Sequence, residues 1–234
     1  MPDARTLRTD DHATKPERRK NVDRSAATRK QILEATIRCL DEGGYGAVTN
    51  IRVADAAGVS RGAMMHHFPT RQALIIATVE YTHEKLNRIR AAEMEKFPPG
   101  LARFRAIMDL SLVTQRMPEG MALNEIRIGS RSDPEIREMV TPMMSAISED
   151  YVRMVSRIGR EAGLNPTQEM LGLIGTVAMA TRALAINTFT YPSPRVSENV
   201  LWTLRMMREA LIAKQLGADK AEPPEPLPED PSRA

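Results

Sequence analysis

The chain has 234 residues, 42% of them hydrophobic, enough length and apolar content for a buried core, which excludes a wholly disordered protein. Aromatic residues make up only 4% while methionine alone contributes 15, and with Ala, Leu and Ile prevailing among the apolar residues the composition favours helices over strands. The formal net charge is +3, but Lys15, Arg18, Arg19, Lys20, Arg24, Arg29 and Lys30 crowd the beginning while Glu222, Glu225, Glu229 and Asp230 lie at the end, so the N-terminal part suits an anionic partner. The single cysteine, Cys39, excludes an intramolecular disulfide and a cysteine-built zinc or iron–sulfur site. No run reaches ~18 consecutive apolar residues, and the beginning lacks the short apolar stretch of a secretory signal, so the cytoplasm is the expected location.

Residues 1–25 are polar and without apolar periodicity, which predicts a flexible basic arm. Ile32, Leu33, Thr36, Ile37 and Leu40 then form one stripe at helical spacing, giving a first helix over about 27–42 that stops at Gly43-Gly44. Thr49 can cap a short second helix in which Val53, Ala54 and Ala57 face inward, and Gly58 ends it. Ser60 caps a third helix to about His67, and after Phe68-Pro69 a fourth, capped by Thr70, runs towards Lys96 and Pro98-Pro99-Gly100. Helices follow at about 101–116, 119–131 and 134–162, with a kink expected at Pro142; Asp133-Pro134 and Asn165-Pro166 both read as helix starts. From residue 218 alternating prolines and acids predict a disordered tail. The pattern is all-α: an arm (1–25), a three-helix head (26–72), a helical body (73–217) and an acidic Pro-rich tail (218–234).

Two short capped helices joined by Gly58-Val59 follow the logic of a helix-turn-helix, although a tight αα corner with a solvated face has the same turn pattern. A recognition helix lies in a groove about 12 Å wide, so its first turn needs small residues for approach and polar or basic ones for base edges and phosphates. Ser60, Arg61, Gly62 and Ala63 meet that need. Thr49 and Thr70 stand at helix N-termini, where free N–H groups and the dipole favour a phosphate.

The run from Val59 through Ser60-Arg61-Gly62-Ala63-Met64-Met65-His66-His67-Phe68-Pro69-Thr70-Arg71 to Leu74, with Ile32-Leu33-Glu34-Ala35, Gly44-Tyr45 and Thr49 upstream, resembles the signature of the TetR family of one-component bacterial regulators. The resemblance covers about residues 27–80. It implies that Thr49 meets a phosphate, that Ser60, Arg61 and Gly62 enter the major groove, that His66 and His67 end the recognition helix, and that Arg71 meets a phosphate. It also implies a homodimer on a palindromic operator, acting as a repressor and released by a small ligand. The family usually has tyrosine where Met65 stands and lysine where Arg71 stands. Arg71 keeps the charge, while Met65 suits a thymine methyl or a sugar.

His66 and His67 are adjacent on a helix and diverge by about 100°, so they do not converge on one metal ion, and neither metal nor cofactor is expected. Cys39 reads as a small buried hydrophobe. No Ser-His-Asp or Cys-His arrangement is recognisable, so catalysis is not expected; a helical enzyme or an assembly protein that does not bind DNA is the alternative. In the body Met108, Leu112, Met121, Ile126, Met143 and Ile147 can either fill the core or line an adaptable, largely apolar ligand cavity. Asn124, Glu125, Arg127 and Arg131 are the polar residues there from which one could orient a ligand. Val200, Leu204, Met207 and Leu211 recur at spacings of four and three, and Gly172, Gly175 and Ala178 allow close approach. That is the seam of a four-helix dimer interface or of packing within one chain.

Overall fold

The structure, a computed structural model, describes residues 15–188 and 194–224. Residues 1–14 of the expected arm and 225–234 of the expected tail lie outside them. The first helix, α1 (Lys15–Gly43), begins about twelve residues earlier than periodicity predicts. After Pro16, in the first turn where a missing N–H costs little, no Gly or Pro interrupts the chain until Gly43. Residues from Val22 to Ala27 are exposed, so this part is helical by local propensity. Periodicity is silent about such a segment because nothing packs on it.

Helices α2 (Asn50–Ala57), α3 (Arg61–His67) and α4 (Arg71–Glu95) follow, and each start is a side-chain cap. Thr49 Oγ1 accepts from the Arg52 N–H at 3.2 Å, Ser60 Oγ from Ala63 at 3.1 Å and Thr70 Oγ1 from Ala73 at 3.1 Å. Gly58 turns the chain between α2 and α3 with φ 65° and ψ 33°, a left-handed conformation that costs glycine little. The C-terminal carbonyls of α2 are covered from α1, by Gln31 Nε2 on Ala57 at 2.6 Å and Arg38 on Ala56 at 3.0 Å.

The body comprises α5 (Leu101–Arg116), α6 (Pro118–Gly129), α7 (Pro134–Glu161), α8 (Gln168–Asn187) and α9 (Pro194–Leu216). Helix α7 stays continuous through Pro142, whose face is solvent-exposed. The start expected at Asn165-Pro166 lies at Gln168 instead, capped by Thr167. Gln215 of α9 binds both the N–H of Asn165 at 2.7 Å and its carbonyl at 3.2 Å, which holds that residue in a turn. The first residues of the expected tail are also ordered: a 3-10 turn at Ala218–Lys220 is followed by Glu222, and Arg105 binds the Lys220 carbonyl at 2.8 Å and Glu222 at 3.0 Å.

Two apolar clusters fill the molecule. One joins α1–α4 to α6 and the first half of α7, through Ile32, Leu40, Met64, Phe68, Leu74, Ala122, Ile126 and Ile136. Packing is therefore continuous across residue 72, where the pattern of elements suggests a boundary. The other joins α5, α8, α9 and the second half of α7 around Phe104, Ile107, Val155, Ile174 and Ile212. Helix α8 is apolar enough by length and composition to cross a membrane, with mean hydropathy 1.4 over an 18-residue window. Its Leu173, Ile174 and Val177 are core residues of the second cluster.

Between α5 and α6 the chain turns so tightly that a Cβ on Gly120 would stand 2.2 Å from the Thr114 carbonyl oxygen and 2.7 Å from that of Gln115. Because backbone rather than a flexible side chain blocks it, Gly120→Ala should cost about 1–3 kcal/mol in urea unfolding. An unchanged midpoint would show that the corner can open.

Candidate nucleic-acid interface and enclosed cavity

Helix α3 is anchored by Met64, 1% exposed, with Phe68 at its end equally buried. That anchoring turns Ser60, Arg61, Gly62, Met65 and His66 to solvent, with Ala63 and His67 half-buried beside them. Thr49 and Thr70 are exposed at their helix starts. The residues expected to face a groove, Arg71 apart, are thus exposed or half-buried at the surface of the head. The rings of His66 and His67 stand 5.4 Å apart, edge to face. Burial, with the charges of His66 and Arg29, lowers the His67 pKa from the usual histidine value. Asn50 Nδ2 lies 3.3 Å from the Met65 sulfur and steadies this unusual residue.

Arg71, expected at a phosphate, also makes bonds within the protein. Its Nε donates to the Val48 carbonyl at 2.8 Å, Nη2 to the Tyr45 carbonyl at 3.1 Å, and Nη1 to the Tyr45 hydroxyl at 2.8 Å and to Asp133 at 3.3 Å. The guanidinium also lies 4.1 Å from the Tyr45 ring centroid. These four bonds tie the loop before α2 to the N-terminus of α7, while the Arg71 side chain stays 31% exposed. The Tyr45 hydroxyl completes the triangle by donating to Asp133 at 2.9 Å. The Asp133 carboxylate also caps Ile136; that bond, then those from Tyr45 and Arg71, hold its pKa below the usual aspartate value of 3.8. A Cβ on Gly129 would meet the Tyr45 ring at 2.1 Å, so only glycine lets α6 approach so closely.

A cavity of about 170 Å³ opens where the two apolar clusters meet, walled by α4–α8. Of the residues expected to line a cavity or orient a ligand, Asn124, Arg127 and Ile147 do so. Met108 belongs to the second cluster, Ile126 to the first with Met143 packed against it, and Leu112 and Met121 are buried away from the cavity lining. Glu125 faces the head, accepting from the Tyr45 N–H at 3.1 Å. Methionines at helical spacing describe a buried face, and a face by itself does not say whether a void or a neighbour lies against it. The cavity is also less apolar than expected: Arg90, Arg127, Arg182 and Tyr151 reach it beside Leu86, Leu123 and Ile174. Arg127 is among the polar residues expected from sequence to orient a ligand, and Arg182 left a signal as a charge within the most apolar helix.

The proposed dimer stripe divides. Leu204 and Leu211 are buried in the chain's own second cluster, with Val200 packed against it, which corrects their assignment to a partner. Met207 is 44% exposed, and Gly172 and Gly175 have open space where a Cβ would be. Leu171 and Met179 on α8 and Val196 on α9 are exposed apolar residues that the reading of the stripe passed over.

Comparison with known proteins gives the head a relationship. The profile of bacterial regulatory proteins of the tetR family matches residues 32–78. The HTH-type transcriptional regulator CymR of Pseudomonas putida is 38% identical over 84 residues, 36% of this chain and 41% of that protein, so the chain matches less than half the length of that relative. A TetR transcription regulator from Haloarcula marismortui superposes with a TM-score of 0.63, covering 79% of this chain and 98% of that one at 20% identity. A transcriptional regulator from Saccharomonospora viridis, solved in complex with choline, gives 0.56 over 82% and 97% of the two chains at 18% identity. At those identities the two structures establish the shared fold, a helix-turn-helix head on a helical body. The head, residues 32–78, is thus similar to bacterial regulatory proteins of the tetR family, and it is seated on a body that shares the fold of these solved regulators.

Proposed function

We propose that the chain is a transcription regulator of repressor type, binding a palindromic operator as a homodimer in the cytoplasm and released by a small molecule held in the body. The observation that carries this reading is the outward face of α3, capped, anchored by buried Met64 and lined by Ser60, Arg61, Gly62 and Met65. Exposed Leu171, Met179, Val196 and Met207, with Gly172 and Gly175 for close approach, supply an apolar α8–α9 face for a second copy. Two-fold pairing would present two α3 helices to major grooves about 34 Å apart. The Saccharomonospora viridis neighbour, solved in complex with choline, supports small-molecule binding by a protein of this fold.

Helix α6 is the candidate coupling element. Asn124 and Arg127 line the cavity, while Glu125 and Gly129 of the same helix hold Tyr45 of the head. A ligand that shifts α6 therefore acts on Tyr45, Arg71 and Asp133. It releases DNA only by its preference for the non-binding conformation, about 1.4 kcal/mol for each tenfold loss of affinity.

Selection from a pool of random duplexes at near-physiological salt tests the reading. Enrichment of a palindrome is expected, whereas salt-sensitive binding without a motif would reduce the head to a non-specific basic surface. On the selected operator, Arg61→Ala should weaken binding about tenfold to a hundredfold and relax preference at one base position per half-site. Equal weakening on every sequence would contradict base reading by Arg61.

A further inference from the structure

Elsewhere in the described part of the chain Arg105 and Arg208 are matched by carboxylates, whereas half-buried Arg103 reaches only the Phe97 carbonyl at 2.9 Å and its Nε has no partner. Arg105 and Arg208 converge on Glu209 at 2.8 and 2.9 Å, and Arg208 also meets Asp109 at 3.3 Å. The cavity gathers three half-buried arginines that no carboxylate matches. Arg90 reaches only Asn87 at 3.2 Å and Thr114 at 3.5 Å, with Tyr151 5.8 Å from its guanidinium. Arg127 reaches Asn124 and the Met144 sulfur, both at 3.4 Å. The Nε of Arg90 and that of Arg182 are buried with no hydrogen-bond partner. Among the described residues no carboxylate pairs with any of the three. Glu149, in the cleft next to Arg127 and Arg182, is joined to Arg153 at 3.3 Å.

Three cations drawn from α4, α6 and α8 without a counter-charge are costly. Burial and the charge of Arg182 push the Arg127 pKa down to about 10, and burial lowers those of Arg90 and Arg182. The remaining wall is apolar, with Leu86, Leu123, Ile147 and Ile174. The volume of about 170 Å³ is close to the roughly 150 Å³ of a cavity that holds one benzene ring. We propose that this cavity takes a small organic acid, a carboxylate on an apolar body of about one ring, with Arg90, Arg127 and Arg182 as its counter-charges. This names the ligand class within the regulator reading and adds a charged head to the largely apolar ligand expected from methionine content. A guanidinium fork fits a carboxylate with two parallel hydrogen bonds, whereas inorganic phosphate would leave the apolar wall unused.

Thermal melting of the full chain with benzoate, phenylacetate, benzamide, choline and inorganic phosphate, at matched ionic strength, tests the assignment without DNA. At about a hundredfold excess over Kd, either carboxylate should raise Tm by about 5–10 °C, and the other three should do much less. No shift with either carboxylate overturns the proposal. So does an equal shift with benzamide or choline, and an equal shift with phosphate overturns the organic-acid class. Arg127→Gln and Arg182→Met, made separately, should each weaken benzoate binding at least about tenfold while the unliganded Tm holds or rises, since an unmatched charge has been removed. A lower unliganded Tm in both would mark the arginines as structural and overturn their assignment as counter-charges. Carboxylate binding without release of selected operator would leave the site standing and defeat the regulator mechanism. Operator selection by a protein insensitive to carboxylates would defeat the site alone.

Discussion

Glu209→Ala is expected to lower the unfolding free energy by about 3–5 kcal/mol, the range for breaking a buried ion pair by removing one partner. The Glu209 carboxylate is 2% exposed and accepts from Arg105 at 2.8 Å and 3.0 Å, from Arg208 at 2.9 Å and from the Glu222 N–H at 2.9 Å. Without it Arg208, 6% exposed, keeps only Asp109 and the Arg105 carbonyl, and the segment after α9 loses its anchor. Burial opposes ionisation of Glu209, but the bonds from Arg105, Glu222 and Arg208 outweigh it and hold its pKa below 4.5. A carboxylate depressed on folding contributes stability that is complete above its unfolded pKa and disappears as pH falls through the folded value. The wild-type protein should therefore lose stability on acidification below about pH 4.5, and Glu209→Gln should lose less of what remains to it over the same interval. Urea titrations across that range measure both. A change under about 1 kcal/mol at neutral pH would mean that water replaces the carboxylate at little cost.

Arg71→Met is expected to cost about 2–3 kcal/mol of stability, because the Val48 and Tyr45 carbonyls lose a charged donor and the Tyr45 ring loses its cation. If the chain binds an operator as proposed, affinity should fall on specific and non-specific DNA alike, since the loop before α2 no longer has a fixed position. The salt dependence separates this from a phosphate contact. Each phosphate contact adds about 0.9 to the slope of log K against log salt, so an Arg71 that works from inside the protein leaves the slope unchanged. A slope shallower by about one would restore the phosphate role that the family resemblance implies. In a double-mutant cycle with Asp133→Asn, the Arg71 substitution should be markedly non-additive, since the two residues and Tyr45 form one network.

The difference between these two roles for Arg71 marks where sequence reading stops. Its charge and its place just after the Thr70 cap suit a phosphate, and nothing nearby in the chain names Asp133, 62 positions on, as its partner. Helix starts were legible at Thr49, Ser60, Thr70 and Asp133 because a cap is a contact over three residues. At Asn165 the same local logic failed, because Gln215, 50 positions away, held the turn open.

The cavity and the dimer stripe failed for a related reason. Apolar spacing identifies a buried face but not what covers it: Met108, Leu204 and Leu211 are buried by their own chain, while Met179 and Val196, outside the chosen stripe, remain exposed. The arginines at 90, 127 and 182 are separated by 37 and 55 positions, and only the packing of α4, α6 and α8 gathers them at one void.

By itself the sequence determined the helical class, the limits of α2–α7 to within a residue or two, and the outward residues of α3. These rest on periodicity, caps and glycine turns, interactions that reach only a few residues along the chain. Tertiary structure alone decided that Arg71 ties head to body, that Glu125 turns away from the cavity while Arg127 turns into it, and that three arginines share a space without a carboxylate. Those outcomes depend on how whole helices pack, and the energies that select one packing come from contacts between residues far apart in the chain.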